Sequence, residues 1–131
     1  MKTKLLMWLV LLGSLWTSNL YAQTRYPKRE FRGAWIQCVN GQFQGMPTEK
    51  MKKVLVSQLD NLQKAGINAI IFQVRAEADA LYKSPYEPWS RFLTGVQGKA
   101  PSPMWDPLQF MIEECHKRNM ELHAWINPYR A

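Results

Sequence analysis

The sequence predicts a parallel α/β unit of about three strands and two helices. Two observations carry this. Short runs rich in β-formers alternate with stretches of helical spacing, in the order strand, helix, strand, helix, strand. The middle run, residues 69–72, is apolar at every position, which suits a strand covered on both faces.

The first strand is read at residues 31–39, "FRGAWIQCV". Gly41, Gly45 and Pro47 mark the loop after it. Thr48 then reads as an N-cap, with Glu49 in the first turn. Met51, Val54, Leu55, Leu59, Leu62 and Ala65 recur at helical spacing, and Gly66 stands where a C-cap glycine belongs. The first helix is therefore expected over residues 49–65. Residues 67–75 form the second strand. Residues 79–103 hold Pro85, Pro88, Gly95, Gly98, Pro101 and Pro103, so they read as a long loop. Tyr82, Tyr86 and Trp89 favour an ordered, functional one. Asp106-Pro107 is an N-cap followed by proline at the first helical position. Leu108, Met111, Ile112 and Cys115 give that helix its inward stripe, and it is expected to end near Arg118-Asn119. Residues 121–127 form the third strand, which Pro128 stops.

Two architectures use this order, an open doubly wound sheet and a (β/α)8 barrel. No glycine-rich phosphate loop follows the first or second strand, so the dinucleotide-binding version lacks its main support. A full barrel needs about 250 residues. The expectation is the N-terminal portion of such a barrel over residues 30–131, as a fragment or the front of a longer protein.

Lys2 and Lys4 precede eight consecutive apolar residues, 5–12, and Ala22 ends a polar stretch. That pattern predicts a secretory signal peptide, residues 1–22, cut after Ala22. The apolar run is short for a spanning helix, which needs about 20 residues. The chain is expected to be exported to the periplasm, cell envelope or medium, with no stable membrane span after cleavage. Removing residues 1–22 leaves 15 basic and 10 acidic residues, a net charge of +5. The dense basic group, Arg25, Lys28, Arg29 and Arg32, reads as a solvated leader near residues 23–29. Basic and aromatic residues do not interleave as on a nucleic-acid surface, so no nucleic-acid partner is expected. Cys38 belongs at the top of the first strand and Cys115 low on the second helix, so no bond between them is expected. No cluster of ligand residues implies a metal or cofactor.

Alternation along the strands points Ile70, Phe72 and Val74 at the helices, and Ile71, Gln73 and Arg75 at the barrel interior. On the third strand Ala124 and Ile126 face the helices, and His123, Trp125 and Asn127 face inward. Trp35 and Gln37 take the inward role on the first. The C-terminal rim, where barrel sites lie, then collects Gln37 with Asn40, Gln73 with Arg75, and Asn127 with Arg130. Planar hydrogen-bonding groups beside Tyr86, Trp89 and Trp125 suit hydroxyl-rich sugars. Plainer readings stand beside this one. Buried amides close loops, Arg75 and Asp79 make an ion pair, and Trp35 and Trp125 are core. His123 reads as a hydrogen-bonded core histidine rather than an acid–base catalyst.

Three stretches, "EFRGAWIQ", "NAIIFQVRAEADALYKSPYEPWS" and "ELHAWINPYR", resemble the N-terminal part of the glycosyl hydrolase-like 10 family, once classed as a domain of unknown function. The resemblance runs from about residue 30 to residue 130. It implies a (β/α)8 barrel, bacterial export and hydrolysis of O-glycosyl bonds, with cell-envelope glycan such as peptidoglycan strands as a candidate substrate. By motif position it carries Gln73, Arg75, Asp79, Trp89, Ser90, Asn127 and Arg130 into the pocket. Trp125 joins them from the strand pattern. Ala76 stands where many relatives are expected to have proline, which puts the turn after the second strand in question.

Most glycosidases need two carboxyl groups flanking the scissile bond. Glu77 and Asp79 are the acids at the expected rim, two residues apart on one turn. Asp79 is thus a weak catalytic candidate, and is read as binding substrate or Arg75. The catalytic pair is expected outside these residues, leaving the chain alone inactive. The alternative is a non-catalytic carbohydrate-binding or envelope-interaction domain, or an inactive fragment.

Overall fold

A computed structural model describes residues 30–130. The expected signal peptide and residues 23–29 of the basic leader lie outside the described residues; Arg32, read with that leader, is described and is tied to the fold, its Nε donating to Gly66 O and its N–H to Asn68 Oδ1. The elements are β1 (Gly33–Ile36), α1 (Thr48–Lys64), β2 (Ala69–Arg75), α2 (Arg91–Thr94), α3 (Pro107–Lys117) and β3 (Glu121–Ile126). The strands form one parallel sheet in the order β1-β2-β3. This is the α/β arrangement that the sequence pattern predicts.

Helix α1 forms because Met51, Leu55 and Leu59 repeat on one face, and all three are buried. Its N-cap is Pro47 rather than Thr48, and no side chain caps it. Thr48 is instead the first helical residue and is buried. The helix ends as expected, with Gly66 at φ +82°, a conformation that strains any residue with a Cβ. The Asp106 side chain caps α3 by accepting from Gln109 N at 2.9 Å, with Pro107 first in the helix. Met111 and Cys115 turn that helix inward. At the far end of α3, Arg118 reaches Asp60 of α1 and Glu114 of its own helix, each at 2.7 Å. That contact ties the two helices.

The core lies on the helix side of the sheet. Ile36, Ile70, Phe72 and Val74 pack there with the inward residues of α1 and α3. The long loop adds Leu81, Phe92 and Leu93. It is ordered: Ala80 N donates to Pro88 O, and Ser90 N to Ala80 O, each at 2.9 Å. The loop contains α2, which the sequence reading missed because one turn is too short to show a period.

The other face of the sheet is open among the described residues. Trp35 is 66% exposed and meets Trp125 edge to face at 5.0 Å. Phe31 meets His123 in the same way at 5.3 Å. Among the described residues the His123 ring is half exposed and hydrogen-bonds Glu121 Oε2 at 3.2 Å. Ile126 also departs from expectation. A register shift between Gln73 and Arg75 pairs it with Arg75, and it is half exposed rather than buried under a helix.

Candidate functional site

Strand β2 ends on Arg75, and the chain turns sharply through Ala78 at φ +47°. Asp79 makes that turn. Its Oδ1 accepts from Ala76 N at 3.1 Å and from Glu77 N at 2.9 Å. The Asp79 side chain is fully buried, and its Oδ2 is buried with no partner among the described residues. The expected Arg75–Asp79 ion pair does not form, because the carboxylate is taken up by the turn's own amides. Ala76, where proline was expected in relatives, uses its N–H in this turn, which proline lacks.

Arg75 turns to Glu87 instead. Its Nε donates to Glu87 Oε1, and its Nη1 donates to the Asn127 carbonyl. Glu87 Oε2 accepts from the Tyr82 hydroxyl at 3.2 Å. Burial raises the Tyr82 pKa, and the Glu87 charge raises it further. Asn127 closes the group: its Nδ2 donates to Ala76 O at 3.2 Å, and its Oδ1 accepts from Trp125 Nε1 at 2.8 Å. The indole is thus held at a set angle beside the guanidinium group.

The other expected residues fall into three places. Gln73 lies beneath the rim, buried, where its Oε1 accepts from Cys38 N at 3.0 Å and ties the exit of β1 to β2. The Cys38 thiol above it is pushed up to about 12, first by burial and then by the Asp79 charge. Ser90 is fully buried and caps α2 by accepting from Phe92 N at 3.1 Å. In this structure neither Ser90 nor Asp79 presents its side chain to solvent. Trp89 is half-buried against the core. Arg130 is exposed, with its Nε 4.0 Å from Glu77 Oε1. Glu77 Oε2 accepts from Arg91 Nη2 at 2.8 Å and from Nε at 3.1 Å.

Arg75, Trp125 and Asn127 therefore come together, whereas Arg130 meets Glu77, which is held by Arg91 and not by that group. Sequence reasoning missed Glu87, Tyr82 and Arg91. It counted acids only where the strand ends, and Glu87 returns to the rim from eight residues past Asp79. The signal was present: a glutamate beside proline in a loop rich in aromatics. What results is a fixed array of donors, acceptors and an indole. Such arrays orient polyhydroxylated ligands. Among the described residues, no group of three or more His, Cys, Asp or Glu could hold a metal ion. None of their helices is long and apolar enough to cross a membrane.

Away from this rim, a cavity of about 450 Å³ lies between β1 and α1, lined by Trp35, Gln37, Gln58 and Asn61 among others. Gln58 Oε1 is buried with no partner among the described residues.

Comparison with known proteins assigns the class. The family model for "Glycosyl hydrolase-like 10" matches residues 30–130. The chain belongs to that family. It is similar to "Glycosyl hydrolase YngK" of Bacillus subtilis (strain 168), 45% identical over 125 residues, covering 92% of this chain and 24% of the relative. It is also similar to "Glycosyl hydrolase DigH" of Escherichia coli (strain K12), 38% identical over 121 residues, covering 84% of this chain and 27% of the relative. The chain thus spans about a quarter of the length of the curated relatives it matches.

Proposed function

We propose that this chain forms the substrate-binding rim of an exported bacterial glycoside hydrolase acting on cell-envelope glycan, with peptidoglycan strands as the substrate. The observation that carries the proposal is the Arg75–Glu87–Tyr82–Asn127 network at the ends of β2 and β3. It fixes an arginine, a carboxylate and an indole where a barrel's site belongs. Membership of a glycosyl hydrolase-like family supports the reading. The basic and apolar pattern of residues 1–22 supports export.

Glu77 and Glu87 are each bound to an arginine, and Asp79 is buried. None is a free acid facing another across a gap, as glycoside hydrolysis requires. That observation favours a second reading for this chain alone, a non-catalytic glycan-binding unit. Purified glycan strands test both readings. Binding that R75M weakens about tenfold or more, a loss of about 1.4 kcal/mol, supports the rim. Release of reducing ends selects the enzyme; binding without release selects the binder. Equal binding by R75M and wild type would remove the rim from the account.

A further inference from the structure

A cavity of about 190 Å³ lies where the loop after β1 meets the loop after β2, and the start of α1 forms part of its wall. Gly45 N donates to Leu93 O at 3.2 Å and holds the two loops together there. Helix α1 has 17 residues, and no side chain caps its first turn, because the N-cap is Pro47. The amides of that turn, at the positive end of the helix dipole, face no side-chain acceptor. Thr48, first in the helix, lines the cavity and is only 7% exposed. Its hydroxyl has no hydrogen-bond partner among the described residues. Buried hydroxyls are ordinarily hydrogen-bonded, so this one calls for a partner inside the cavity.

Charge favours an anion there. Lys99 lines the cavity and makes no ion pair among the described residues. Ser102 adds a second hydroxyl to the wall. The acid of the first turn, Glu49, is occupied by Lys52 at 3.2 Å. Lys52 in turn sits over the ring of Trp105, another lining residue, at 5.4 Å. We infer that the start of α1, with Thr48 and Lys99, is a binding site for one phosphate group. The oxygens of a phosphate can accept from first-turn amides, a hydroxyl and an ammonium group together. A water takes about 30 Å³, so a cavity of about 190 Å³ holds a phosphate with room to spare. None of the lining residues belongs to the Arg75 network, so the inference stands apart from the glycan-binding reading.

The test uses the full 131-residue chain, isotope-labelled. It is titrated with sodium phosphate, and separately with sodium chloride at equal ionic strength. Nuclear magnetic resonance reads the amides of Thr48, Glu49 and Lys50. Phosphate should give saturable shifts at these amides, and chloride should not. T48V and K99M should each weaken binding about fivefold, as loss of one hydrogen bond or charge contact does. T48S keeps the hydroxyl and should bind like wild type. Lys99 is exposed, so K99M carries the test if T48V does not fold. Glycerol phosphate separates the two sources of the group. Equal binding of the ester assigns the cavity to a phosphate carried on a larger molecule, and binding of inorganic phosphate alone assigns it to the free ion. Shifts that stay linear in phosphate for the wild type would overturn the inference, as would equal affinities for wild type and K99M.

Discussion

Arg75 and Glu87 form an ion pair across twelve residues of sequence, joining the end of β2 to the loop that returns over it. The same guanidinium group also holds the Asn127 carbonyl at the end of β3. One side chain thus fixes three segments, and the rim is built around it. Both partners are largely shielded, at 17% and 23% side-chain exposure. Removing either leaves the other charge short of a partner. E87Q and R75M should each lower unfolding free energy by about 1–3 kcal/mol. The double variant should lose less than their sum, because the two act on one interaction. Chemical denaturation of the four proteins gives the coupling.

Asp79 offers a separation of geometry from charge. Asparagine can keep an oxygen for the Ala76 and Glu77 amides, and alanine cannot. D79A should therefore cost about 1–3 kcal/mol, and D79N less. D79A should also weaken glycan binding through the displaced turn, although its carboxylate is buried. Equal destabilisation by both variants would show that charge, not the turn, matters at this site.

Cys38 gives a pH prediction with a definite sign. Its thiol rises from the ordinary value of 9.0 to about 12, mainly through burial. Between those values the unfolded chain has lost a proton that the folded chain keeps. Stability is full below pH 9 and falls as pH rises toward 12, by about 1.4 kcal/mol per pH unit for this group. Cys115, raised to about 11 by burial, adds a smaller share in the same direction. The stability difference between wild type and C38A should accordingly shrink above pH 9. At pH 8 a thiol reagent should label Cys38 only as fast as the protein unfolds.

At the far end of the helices, Lys117 and then Arg118 lower the Glu114 pKa by hydrogen bonding. That stability is present above the ordinary carboxylate range and is lost as pH falls through the lowered value. E114Q should therefore flatten part of the acid limb of a stability–pH curve. R118M should in addition loosen α1 from α3, because it removes the Asp60 contact. Amide hydrogen exchange in both helices checks this.

Much of the fold was legible because its signals are local. Met51, Leu55 and Leu59 show helical spacing, Asp106-Pro107 shows a cap, and the apolar run of β2 shows burial. Facing was legible where alternation is regular, as at Ile70, Phe72 and Val74. On β3 it did not show: Ala124 and Ile126, both expected under a helix, are exposed among the described residues. Arg75, Trp125 and Asn127 were found because they follow from strand alternation. Their partner Glu87 was not, because its return depends on how the loop folds. The Ser84 turn and the Ala80–Trp89 bridge that fold the loop carry no periodic signal. Asp79 and Ser90 were assigned to the ligand, and the structure gives them to the backbone. Short polar side chains serve either purpose, and only the contacts distinguish them.

The central claim is that the ends of β2 and β3 bind glycan. The most direct measurement is a nuclear magnetic resonance titration of the isotope-labelled chain with purified glycan strands. The account expects the largest shifts at Arg75 Nε, the Trp125 indole N–H and the Asn127 side-chain amide. Shifts centred instead on Gln58 and Asn61, beside β1 and α1, would contradict it and move the binding site to the cavity there.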